Sequence, residues 1–158
     1  MSDNTILLGQ GYFWQQLSVG QSFRTLRRTI TEADLIGFIG CTGQTEILFI
    51  DADFEGAIKS RGRPVPSALT YSLIEGLLMQ TLLQSAGLAL LEVSQKIIGP
   101  VCVSDSIYAD VEITDVRPTS KSGRAVVTAL VVVKNQNGEP VMRYDVKRLI
   151  AGIPETRT

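Results

Sequence analysis

The chain has 158 residues, 44% of them hydrophobic and 20% charged, with a net charge of −1. That suffices for one domain with a hydrophobic core, and so small a charge excludes a general pull toward nucleic acid or an anionic membrane. The two cysteines, Cys41 and Cys102, fit neither a disulfide framework nor a zinc-ligand spacing, no N-terminal apolar segment resembles a signal peptide, and a reducing cytoplasm is the expected setting.

Residues 22–30 read as a strand carrying Arg24, Arg27 and Arg28. Thr31-Glu32-Ala33-Asp34 has the pattern of a capping box, and Leu35, Ile36, Phe38 and Ile39 continue it as a short helix ending near Cys41 and Gly43. Residues 51–59 suggest a second, weak helix, lowered in propensity by Gly56, and Arg61-Gly62-Arg63-Pro64 breaks it. The longest helical signal covers residues 67–86. Its apolar positions leave only a narrow polar stripe, so it is expected to be buried. Glu75, Gln80 and Gln84 argue against a membrane span, because each would need a partner in lipid.

The rest of the chain has the period of strands. Residues 90–98 form the first, Gly99-Pro100 breaks it, and residues 106–116 alternate with Ile107, Ala109, Val111 and Ile113 on one face. After a polar turn at 118–123, residues 125–133 are almost continuously apolar, as in a central strand covered on both faces. Asn135-Gln136-Asn137-Gly138 predicts a tight hairpin. Residues 141–150 return with Met142, Tyr144 and Val146 opposite Arg143, Asp145 and Lys147. A long antiparallel sheet with one buried helix is an α+β arrangement.

This order resembles the hot-dog fold, a curved antiparallel sheet wrapped around one long central helix. The motifs resemble those of MaoC-like (R)-specific enoyl-CoA hydratases and dehydratases. Thr29-Ile30-Thr31-Glu32-Ala33-Asp34 with Phe38 and Thr42-Gly43 is similar to that family's opening helix, and Asp51, Phe54 and Ala57 suit its second. Arg63-Pro64-Val65-Pro66-Ser67-Ala68-Leu69-Thr70 resembles the approach to its central helix. Gly99-Pro100-Val101 through Asp105, Val116-Arg117-Pro118 and the Asn135–Gly138 turn are similar to its sheet. The resemblance spans about residues 18–151 of a single domain. It implies an acyl-CoA or acyl-carrier thioester as ligand, no cofactor, and pairing into at least a homodimer.

The family's catalytic loop has the form Gly-Asp-x-Asn-Pro-x-His, whose Asp and His activate the water added to an enoyl thioester. Aligned from Gly43, that Asp falls on Gln44, the Asn on Glu46, the Pro on Ile47 and the His on Phe49. Gln44 cannot take a proton near neutral pH, Phe49 cannot hydrogen-bond, and the chain contains no histidine at all. Glu46 is the one residue of the loop able to act as a base. It would be activated if Ile47, Leu48 and Phe49 desolvate it, or it is an exposed carboxylate or an arginine's partner. Ser67 stands where the family places a glycine amide as oxyanion donor; it also suits an N-cap, and the two roles are compatible. No histidine exists to make Ser67 a nucleophile.

Glu75 poses the same choice on the central helix: a thioesterase carboxylate, a dimer contact, or a satisfied buried pair. Arg61 and Arg63 are candidates for coenzyme A phosphates or are solvated loop residues, and Phe49 is a candidate wall of the ligand site. Asp51 and Asp53 suit helix caps better than catalysis, Cys41 suits a packed helix end, and Tyr71 and Trp14 suit packing. The readings left open are a divergent enoyl-CoA hydratase or 3-hydroxyacyl-CoA dehydratase, a thioesterase using Glu46 or Glu75, and a non-catalytic acyl-CoA-binding or partner-subunit module.

Overall fold

The computed structural model describes residues 8–54, 62–120 and 123–154. The expected first strand is split into β1 (Ser22–Arg24) and β2 (Arg28–Thr29). Both pair antiparallel with β4 (Ser106–Pro118), and the ladder is interrupted between them. There the Thr25 hydroxyl accepts from the Ala109 amide at 2.9 Å. The helix α1 (Glu32–Thr42) follows with the capping box in place. The Thr31 hydroxyl accepts from the Asp34 amide at 3.2 Å, and Asp34 accepts from the Thr31 amide at 2.8 Å. Gly43 ends the helix at φ +70°, a left-handed conformation that costs glycine little.

The second helix lies elsewhere than expected. α2 is a single turn at Ile47–Ile50; residues 51–54 leave it as a non-helical turn, and residues 55–59 lie outside the described ones. The central helix α3 (Ser67–Met79) has 13 residues and is shorter than its apolar pattern. Leu82 and Leu83 remain buried beyond its end because residues 80–86 fold back over the sheet. The N-terminal segment holds this corner: the Gly11 amide donates to Gln84 O at 2.8 Å and the Tyr12 amide to Leu82 O at 2.9 Å. Apolar periodicity cannot tell a helix from a well-packed turn that buries the same residues.

The remaining strands are β3 (Gly87–Ile97), β5 (Arg124–Lys134) and β6 (Pro140–Ala151). All pairings are antiparallel, in the order β1-β4-β5-β6-β3. The β5–β6 hairpin turns on Gly138 at φ +81°, with the buried Asn135 side chain accepting from the Asn137 and Glu139 amides. Contrary to expectation, β5 is not covered equally on both faces. It alternates buried and half-buried residues along its length, because α3 lies on one face only.

That face makes the core. Leu69, Leu73, Ile74 and Leu78 of α3 pack with Val111, Ile113, Val131 and Val146 of the sheet, each such side chain stabilising the fold by about 1.5–3 kcal/mol. A sheet around a central helix is the hot-dog arrangement. β3 differs from its neighbours. Only Val93 is even half-buried, and Leu88, Leu90, Leu91 and Ile97 are each about half exposed on this edge strand.

Candidate functional site

The loop between α1 and α2 presents Gln44 and Glu46 to solvent. Backbone contacts shape it: the Thr45 amide donates to Gly43 O at 2.8 Å, and the Phe49 amide to Glu46 O at 2.8 Å. The Glu46 carboxylate has no partner among the described residues. Phe49 is half-buried and packs against the core. The loop thus buries its apolar member and exposes its carboxylate, as desolvation costs dictate for an unpaired charge.

Ser67 is not the N-cap of α3. Pro66 takes that place, with φ −54° and ψ 136°, so the helix starts one residue earlier than a serine cap would have it. Ser67 becomes the exposed first helical residue. The amides of Ser67 and Ala68 donate to no described backbone carbonyl, whereas those of Leu69 and Thr70 both reach Pro66 O. Free amides at a helix start, with the dipole behind them, favour an acceptor oxygen or developing negative charge. Beside them lies a cavity of about 60 Å³ walled by Val65, Ser67, Thr70, Ile97, Val101 and Val141.

Arg63 is only 16% exposed and is ion-paired with Glu32 in the first turn of α1. It is neither a free phosphate ligand nor a solvated loop residue, because that carboxylate already holds it. Arg63 borders a second cavity, of about 150 Å³, with Leu48, Asp51, Phe54 and Pro64. Glu46 is on the wall of neither cavity. Arg61 lies outside the described residues. The Asp51 carboxylate accepts from the Asp53 amide at 2.9 Å, an Asx turn after α2 and not an N-cap.

Glu75 is buried and engaged on both oxygens. Arg148 Nη2 lies 2.7 and 2.6 Å from them, and the Tyr144 hydroxyl donates at 2.9 Å. Burial and the adjacent Glu75 charge push the Tyr144 phenol well above its usual range. Burial, again with the Glu75 charge, raises Tyr71, whose ring meets Tyr144 edge to face at 5.2 Å. A carboxylate neutralised and hydrogen-bonded in this way is poorly placed to take a proton from water. Cys41 is exposed, not packed, and its thiol donates to Phe38 O at 3.4 Å.

Three residues of this region were not among the sequence-derived candidates. Arg148 was detectable, since Met142, Tyr144 and Val146 extend by the strand period to an inward-facing 148. Tyr144 shares the inward face with Met142 and Val146, and its hydroxyl needs a partner once buried. Thr70 gave no signal beyond a hydroxyl on an apolar helix. A surface depression of about 460 Å³ lies over β1, β4 and β5 and contains none of the candidates. No group of His, Cys, Asp and Glu among the described residues could hold a metal ion, and no described helix is long and apolar enough to cross a membrane.

The fold is shared with known proteins. A MaoC-like dehydratase from Rhodospirillum rubrum superposes with a TM-score of 0.81 at 21% identity, over 92% of this chain and 100% of its own. The (R)-hydratase from A. caviae involved in PHA biosynthesis gives 0.72 at 26%, covering 89% and 99%. A double hot-dog protein from Mycobacterium tuberculosis gives 0.83 at 18%, over 97% of this chain but 48% of the larger one. No curated protein sequence matches. Residues 18–144 match the family described as the FAS1-like dehydratase domain region. The chain belongs to that family, within the MaoC-like hot-dog dehydratases and hydratases.

Proposed function

We propose that the protein binds an acyl-CoA or acyl-carrier thioester at the start of α3 and acts as a hydratase or dehydratase of the enoyl/3-hydroxyacyl type, with Glu46 as base. One observation carries this reading. Among the described residues the Glu46 carboxylate has no partner, while Glu32, Asp51 and Glu75 are each engaged. In hydration, Glu46 would take a proton from water as the oxygen bonds to the β-carbon. Electron density then moves to the thioester oxygen, where the Ser67 amide and the helix dipole stabilise it, and protonated Glu46 returns the proton to the α-carbon as the enolate collapses. Gln44, beside Glu46, can orient the water but cannot deprotonate it. Dehydration is the same path reversed. Thioester hydrolysis would use the same base.

The exposed apolar edge of β3 supports a homodimer, since an edge strand with half-exposed leucines is otherwise open to indiscriminate pairing. In a dimer, loop residues exposed in one protomer can become desolvated, which is the condition Glu46 needs. A cytoplasmic location fits this chemistry and belongs to the same proposal.

A second reading has its own support. Phe49 packs against the core, where water would otherwise be held, and the chain matches one half of a double hot-dog protein. On this reading it is a non-catalytic, acyl-binding partner of a second hot-dog domain. Loss of the conjugated enoyl absorbance across a panel of trans-2-enoyl-CoA thioesters decides between them. Turnover that disappears in Glu46→Gln supports the hydratase. Turnover that survives the substitution removes Glu46 as base, and saturable binding without turnover selects the partner module.

A further inference from the structure

Thr70 sits on the fourth position of α3 with 1% of its surface exposed, and its hydroxyl has no hydrogen-bond partner among the described residues. Three other hydroxyls on or just past helices share one solution. Thr42, Ser72 and Thr81 each donate to the carbonyl four residues back, at 2.6, 2.8 and 2.7 Å. The corresponding acceptor for Thr70 is Pro66 O, and it is already occupied by the Leu69 amide at 2.9 Å and the Thr70 amide at 3.3 Å. A carbonyl oxygen has two lone pairs, so the usual back-bond is closed to Thr70.

The residue borders the same cavity as Ser67. Positions three apart share a helix face, and side chains lean toward the N-terminus, which brings Thr70 over the first turn. Ser67, whose amide donates to no described backbone carbonyl, and Thr70, with its unpartnered hydroxyl, therefore border an otherwise apolar space of about 60 Å³. That is room for a small polar group and not for an acyl chain. All these groups donate, and the group that satisfies them is an acceptor oxygen.

We infer that Thr70 is a substrate-binding residue whose hydroxyl donates to the thioester carbonyl oxygen alongside the Ser67 amide. The inference rests on the thioester reading above and adds to it a side-chain donor. It also gives a reason for a buried hydroxyl without a partner: the partner arrives with the ligand.

The test compares thioesters with thioethers of the same length. Titration calorimetry would measure butyryl-CoA and octanoyl-CoA against S-butyl-CoA and S-octyl-CoA, which lack the carbonyl oxygen. Thr70→Val is expected to weaken thioester binding about five- to tenfold and leave thioether binding unchanged, while Thr70→Ser retains wild-type affinity. The thermal midpoint of Thr70→Val should equal or exceed that of the wild type. Equal weakening toward both ligands, or a fall in midpoint, would mean a packing role and overturn the inference. Unchanged thioester affinity would overturn it and leave the thioester reading standing. Binding of neither ligand class to the wild type would overturn both.

Discussion

Arg148 closes on Glu75 through one nitrogen, Nη2, which reaches both carboxylate oxygens at 2.7 and 2.6 Å inside the protein. The pair joins the middle of α3 to β6, and Tyr144 completes it. Removing one partner strands a buried charge. Glu75→Leu alone and Arg148→Met alone should each destabilise by about 3–5 kcal/mol, whereas the double substitution should lie near the wild type or above it. Urea unfolding of the four proteins measures this. Independent, additive losses would show that the pair does not act as a unit.

Asp110 gives the pH dependence. Hydrogen bonds from Arg24, and then from Lys134, hold its carboxyl at about 2, against 3.8 for the free group. A carboxyl with a depressed folded pKa adds stability that is fully present above the unfolded value and lost as pH falls through the folded one. The contribution should therefore fade between about pH 4 and pH 2. With Arg24 largely exposed, solvent screening reduces it to about 1 kcal/mol. Asp110→Asn should lose that amount at neutral pH and show a flatter acid limb over the same window in pH-dependent unfolding.

Glu46 and Phe49 should separate activity from stability. Glu46 is exposed and unpaired, so Glu46→Gln should shift unfolding free energy by no more than about 0.5 kcal/mol while abolishing turnover. Phe49→Ala removes a half-buried ring from the core and should cost about 1–3 kcal/mol, less than for a fully buried aromatic. Chemical denaturation beside the enoyl-CoA assay tests both. A destabilised Glu46→Gln would point to a structural role for that carboxylate.

Pairing along β3 is tested by charge. Sedimentation is expected to find the wild type as a dimer, and Leu90→Lys with Leu91→Lys as a monomer, since lysines on an edge strand oppose edge-to-edge association. A variant that stays dimeric would place the interface elsewhere.

Gly11 should tolerate no side chain. A Cβ there would lie 2.5 Å from Leu82 O and 2.7 Å from the Gln84 amide nitrogen. Gly11→Ala should destabilise by about 1–3 kcal/mol and expose the corner at 80–86 to faster amide exchange, which hydrogen-exchange mass spectrometry would detect.

The regular elements were legible in the sequence because each is set locally. The capping box at Thr31, the Asn135–Gly138 turn and the alternation of β4 and β6 depend on residues within a few positions of one another. The absence of histidine and the composition of the 43–49 loop are equally plain in one dimension. What the tertiary structure alone decided are matters of partnership between distant residues. The end of α3 depends on the N-terminal segment taking the carbonyls of Leu82 and Gln84. The engagement of Glu75 depends on Arg148, 73 residues away, and that of Arg63 on Glu32. A carboxylate's chemistry follows from what neutralises or desolvates it, and neither can be counted along the chain. Only the folded molecule separates Glu46, which has no partner among the described residues, from Glu75, which is paired with Arg148.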